Sequence, residues 1–131
     1  MFKKYNAHPE GLVRCDHIVR QITTVTNGDY YKIAKKIERI KTENGKNHWI
    51  DHRYSLRFNC VYEYFKDYPR IIIKQEKGKP RIKVKEFVKE NPKGTYLIKM
   101  ARNITACVDG VLMDTIDYSD FCIFSAWVIK K

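Results

Sequence analysis

Gly94-Thr95-Tyr96-Leu97-Ile98-Lys99-Met100-Ala101-Arg102-Asn103-Ile104-Thr105-Ala106-Cys107-Val108-Asp109-Gly110-Val111-Leu112-Met113 is the stretch whose reading decides the fold. Tyr96, Ile98 and Met100 alternate with their neighbours, a second apolar run covers Ile104 to Val108, and Asp109-Gly110 leads into a third, Val111 to Met113. Period-two patterning marks strands, and Asp-Gly between two such runs predicts a hairpin, because a type I′ turn needs positive φ at both central residues. A last strand is predicted over Cys122 to Ile129.

The pattern changes on moving toward the N-terminus. Residues 82 to 91 fit a strand by the alternation of Ile82 and Val84 and a helix by the spacing of Val84, Phe87 and Val88. The helix is preferred, and Asn91-Pro92-Lys93-Gly94 ends it. Pro69, the triplet Ile71 to Ile73 and Lys77-Gly78-Lys79-Pro80 suit a short edge strand or an extended connection. Tyr54, Phe58, Val61 and Phe65 recur at helical spacing and predict a helix over about 51 to 66, after a polar loop from Thr42 to Asn47 that contains Gly45.

Before that loop, Tyr30, Ile33, Ala34, Ile37 and Ile40 form one apolar stripe, with Lys32, Lys35, Lys36 and Arg39 on the opposite face. Asn27-Gly28 separates this helix from an earlier one starting near residue 16, with Ile18, Val19, Ile22 and Val25 inward and Asp16 as N-cap. A short arm with Pro9 and Gly11 precedes it. Helices first and antiparallel strands afterwards predict one α+β domain over residues 1–131, its N-terminal helices packed on one side of a C-terminal antiparallel sheet. Repeats, low-complexity tracts and linkers are missing from the sequence, which gives no reason to divide it.

A composition 44% hydrophobic and 13% aromatic excludes a disordered chain despite the charge. The 26 Lys and Arg against 15 Asp and Glu give +11, a potential that attracts polyanions or acidic proteins. The lysines are scattered rather than gathered in a run, which leaves nucleic-acid binding as an alternative that charge alone does not carry. Tyr54, Arg57, Tyr62, Tyr64, Tyr68 and Arg70 interleave rings with cations, as single-strand binders do, but helical tyrosines also serve as packing. No signal peptide or membrane-length apolar run is read, so the expected location is cytoplasmic, with no membrane partner.

The four cysteines, at 15, 60, 107 and 122, show no CxxC spacing and read as free thiols. Cys60, Cys107 and Cys122 fall in apolar elements and are expected in the core. Cys15, His17 and His8 lack the paired spacing of a zinc site, so neither a metal nor any other cofactor is expected.

Certain strings resemble those of papain-like cysteine peptidases, especially the small versions encoded by bacteriophages and bacteria. In that family the nucleophilic Cys opens the first long helix; the matching string here is Asp16-His17-Ile18-Val19-Arg20-Gln21-Ile22, followed by Asp29-Tyr30-Tyr31. The later strings are Gly94-Thr95-Tyr96-Leu97-Ile98, Arg102-Asn103, Ala106-Cys107-Val108-Asp109-Gly110 and Asp114-Thr115. The resemblance implies a papain-like fold in which His17 stands at the nucleophile position, Asn103 at the base position and Asp114 at the orienting position.

A thiolate at a helix N-terminus and an imidazole base would be needed there, and His17 and Asn103 supply neither. The resemblance thus implies a pseudoenzyme of phage origin that binds a host or viral protein, such as a defence or nucleic-acid-handling protein, with inhibition, recruitment and scaffolding all open as the outcome. Its binding cleft would be lined by Asp16, His17, Arg20, Arg102, Asn103 and Asp114. Cys15 is the fallback nucleophile for a residual cysteine hydrolase. Lying two helical positions before His17, it would be turned roughly 200° away from that site.

Overall fold

The computed structural model describes residues 1–11, 16–48 and 60–130, with the backbone alone for 41–48. In chain order the elements are β1 (Phe2–Lys4), α1 (His17–Thr26), α2 (Tyr30–His48), the described part of α3 at residues 60–64, and β2 (Arg70–Ile72). They continue with α4 (Val84–Glu90), β3 (Thr95–Lys99), β4 (Ile104–Val108), β5 (Val111–Asp114) and β6 (Ser125–Lys130). Among the described residues no helix is long and apolar enough to cross a membrane.

The predicted hairpin forms. Asp109 and Gly110 have φ of 48° and 79°, and Val108 pairs with Val111 across the turn. The Asp109 carboxylate accepts from the Gly94 amide at 3.0 Å while its own amide donates to the Gly94 carbonyl at 2.8 Å. The turn is thereby tied to the entry of β3, so one short sequence sets the register of three strands.

The sheet has six strands in the order β1-β5-β4-β3-β6-β2. The expectation of an antiparallel sheet needs one correction: β1 joins it parallel to β5, in the register Phe2↔Leu112, so the sheet is mixed. A three-residue strand, Phe-Lys-Lys, is too short to show alternation, and a parallel partner leaves no turn signal nearby. β2 is the edge strand expected near Ile71 to Ile73, antiparallel to β6.

Both faces of the sheet are covered, a second correction to the one-sided packing. On the first face, Leu97, Ile104, Ala106 and Trp127 meet Ile18, Ile22 and Val25 of α1, Ile33, Ile37 and Ile40 of α2, and Cys60, Val61 and Phe65. On the other, Tyr96, Ile98, Cys107, Leu112 and Ala126 meet Val84, Phe87 and Val88 of α4, together with Tyr118 and Ile123. Alternate residues of β3 and β4 thus enter opposite cores, which is why these strands read as nearly unbroken apolar runs.

α1 ends at Asn27 in the left-handed conformation, φ 51°, as the Asn-Gly pair predicts. α2 runs on through His48, so the polar stretch Thr42–Asn47 is helical rather than a loop. A single Gly costs a helix only about 1 kcal/mol and no proline intervenes, so Gly45 does not stop it. Of the helix predicted over 51 to 66, residues 51–59 lie outside the described part and 60–64 are helical. Cys60 and Cys107 are buried as expected, whereas Cys122 is exposed. It precedes β6 in an isolated bridge to Lys83, where its side chain is not held by the alternation of a strand.

Candidate functional site

α1 begins where β5 ends. His17, its first residue, places Nε2 3.0 Å from Oδ2 of Asp114, the last residue of β5. Asp114 is fully buried, and its Oδ2 also accepts from the Thr105 hydroxyl of β4 at 2.8 Å. Its Oδ1 accepts from the Thr115 amide at 2.6 Å. A buried carboxylate is tolerable only when its lone pairs are satisfied, and three donors from three segments do so here. The Tyr118 ring, part of the second core, lies 6.1 Å from the imidazole.

Asp16 sits at the N-cap position but does not cap, since no hydrogen bond runs from its side chain to the helix amides. Its Oδ1 accepts from Arg20 Nε at 2.8 Å, and its Oδ2 accepts from the Tyr30 hydroxyl. Burial by itself would push this carboxyl up; the hydrogen bonds from Tyr30 and Arg20 and the Arg20 charge outweigh it and hold the group below the usual carboxylate value. The cap is lost because Asp16 is needed to pair a guanidinium that α1 carries into the core. Arg20 is 7% exposed, and its Nη1 is buried without a hydrogen-bond partner among the described residues.

Asn103 and Arg102 lie in the short connection between β3 and β4. The Asn103 carbonyl accepts from the Met100 amide at 2.8 Å, closing the connection, and Arg102 is exposed at its tip. Lys99, 7% exposed at the end of β3, donates to the Met100 carbonyl and, at 3.4 Å, to the Ala101 carbonyl. Burial pulls its ammonium down to about 8.

Of the residues expected to line one cleft, the structure brings His17 directly to Asp114, with no Asn103 side chain interposed between them. It joins Asp16 to Arg20 as a second pair and leaves Arg102 on the surface. Cys15 lies outside the described residues. Thr105, Gln21 and Lys99 were not anticipated. Thr105 shares the inward parity of Cys107, which is the signal that could have found it. Gln21, 1% exposed, uses Oε1 to accept from the Ala106 amide at 2.7 Å, and nothing in a helical polar residue next to an apolar stripe announces that.

The His17 and Asp114 pair can hold one imidazole tautomer and move a proton, as a carboxylate-oriented base does. The imidazole's polar partner among the described residues is that carboxylate, and the described cysteines stand elsewhere: Cys60 and Cys107 in the cores and Cys122 outside. Burial pushes the Cys107 thiol up to about 11, the opposite of activation. No group of three His, Cys, Asp or Glu able to hold a metal ion is found among the described residues. A separate hollow of about 760 Å³ opens at the far end of α1, lined by Thr23, Thr26, Tyr5, Tyr30 and Tyr68. Compared with protein-family models, with curated proteins and with solved structures, the chain matches none.

Proposed function

We propose that this chain is a non-catalytic binding protein of phage origin, built on a plan that resembles a papain-like peptidase and directed at a host macromolecule. The observation that carries the reading is the His17 to Asp114 bond. At the junction of helix start and strand, where a peptidase of that class needs thiol, imidazole and carboxylate in sequence, an imidazole occupies the first place and is bound to the third. Such a pair lacks the thiol that attacks the carbonyl and becomes the thioester in a peptidase of that class. The partner is a host macromolecule such as a defence or nucleic-acid-handling protein, and the face around His17 is where it docks.

The test has two arms. The protein is assayed for peptidase and amidase turnover, and the double variant His17→Cys with Asn103→His is probed with a mild alkylating reagent. No turnover in the natural chain and a newly fast thiol in the variant support the reading, since they require a persistent cleft geometry. Rapid alkylation of Cys15 in the folded natural protein at slightly acidic pH, with turnover, overturns it in favour of a cysteine hydrolase. An inert, folded double variant overturns the peptidase-like plan. Capture of a host protein by the natural chain and its loss in His17→Trp would then place the docking face.

A further inference from the structure

The basic charge of the chain has a structural focus at the edge of the sheet opposite β1. A groove of about 540 Å³ runs beside β2, lined by Arg70, Lys74 and Arg81 with Tyr62, Phe124 and Gln75 among its walls. Among the described residues three cations and no carboxylate line it, although acids are interspersed with lysines elsewhere in the sequence.

The arginines are held by rings rather than by acids. The Arg70 guanidinium lies 5.1 Å from the Tyr62 ring centroid and 5.8 Å from that of Trp127, and the two rings pack edge to face at 5.1 Å. Among the described residues Arg70 has neither an ion pair nor a hydrogen bond, so its planar fork of donors is oriented and unspent. Arg81 lies 4.4 Å from the Phe124 centroid and is pinned by donating to the Ile73 carbonyl at 2.6 Å. Tyr62 and Phe124 are each 39% exposed, and Ile72 on β2 is 60% exposed. Rings of this size exposed around a cationic groove on a small domain mark a surface that binds something.

We infer that this groove binds single-stranded nucleic acid. A guanidinium fixed on aromatic rings with free donors suits the bidentate recognition of a phosphate. Exposed ring faces and guanidinium planes beside it give unpaired bases surfaces on which to stack, which a duplex cannot use. An acidic peptide would satisfy the charge but not use the rings, so charge and rings together favour the single strand. The inference is independent of the reading of the His17 face, which belongs to another part of the sheet.

The experiment is fluorescence anisotropy with a labelled oligothymidine of about 15 nucleotides, within the range one small domain covers. The expected result is binding that weakens with salt and favours the single strand over a duplex of equal length. Arg70→Gln should weaken it and flatten the log-log salt slope by roughly 0.7, one phosphate contact on a single strand. Phe124→Ala should weaken it roughly fivefold or more. Lys35→Gln, on the exposed face of α2, should change neither affinity nor slope by more than ordinary charge loss. Circular dichroism checks that each variant is folded, and Lys74→Gln replaces Arg70→Gln if the latter unfolds. Equal affinity for duplex, displacement by polyglutamate as efficient as by oligonucleotide, or folded groove variants that bind like the natural protein would each overturn the inference.

Discussion

His17 and Asp114 lie 97 residues apart in the chain and 3.0 Å apart in space. The bond ties the first residue of a helix to the last residue of a strand, with Thr105 anchoring the same carboxylate oxygen from β4. Replacing Asp114 by Ala strands the Thr105 hydroxyl and the Thr115 amide, each buried or half-buried, at roughly 1–3 kcal/mol apiece. Urea unfolding should show Asp114→Ala destabilised by at least about 2 kcal/mol, His17→Ala by less, and a coupling of about 0.5–3 kcal/mol in the double variant. Strict additivity of the two substitutions would show that the bond contributes nothing.

Gln21 supplies the acceptor for an amide of β4 in the middle of the first core. Gln21→Leu keeps the volume but removes an acceptor from the Ala106 amide, so stability should fall by about 1 kcal/mol. Gln21→Glu places an unpaired carboxylate at a 1% exposed position and should cost more near neutral pH than at acid pH. Denaturant midpoints at two pH values check both statements.

Lys99 gives a pH dependence of definite sign. Its folded value of about 8 lies below the ordinary lysine value of 10.5. Between these the unfolded chain binds the extra proton, so stability rises with pH across that window, and the penalty of a buried ammonium is present in full below it. Lys99→Met removes the group. The difference in unfolding free energy between the natural protein and the variant should therefore shift in favour of the natural protein between pH 8 and 10, and stay flat from pH 5 to 7. A flat difference throughout would place the ammonium in water.

Cysteine labelling should follow burial rather than activation. Of the three described cysteines Cys122 is exposed and should react first with a thiol reagent in the native protein. Cys107, fully buried and with its thiol pushed up to about 11, should react only as the chain unfolds. Cys60, 1% exposed, should behave likewise. Mass spectrometry of modified peptides against time distinguishes them, and labelling of Cys107 as fast as Cys122 would contradict the packing of the second core.

Much of the fold is legible because local chemistry and tertiary demand agree. The Asp109-Gly110 turn, the stripes of α1 and α2 and the helix over Val84–Glu90 each follow from a signal within a few residues. What escapes reading is non-local. β1 is a strand only because β5 offers it an edge; α2 continues because nothing in Thr42–Asn47 forbids it. Asp16 carries the composition of a cap and spends its carboxylate on Arg20 and Tyr30 instead. At the site, the strings placed His17 and Asp114 at meeting elements, but the direct bond between them, and the part taken by Thr105, depend on side-chain directions that spacing does not encode.

The parallel pairing of β1 with β5 has a consequence for how the chain reaches this state. β3, β4 and β5 are joined by short turns and can assemble from neighbours, whereas Phe2 must wait for Leu112 to exist before it has a partner. Until β1 docks, the outer side of β5 is therefore an open template for pairing with another chain, the hazard of any bare sheet edge. β1 arrives as a cover, and its Lys3 and Lys4 bring charge to the new edge that discourages a further strand. A form trimmed of these first few residues would leave that edge bare and remove Phe2 from the second core, and should aggregate more readily than the full chain.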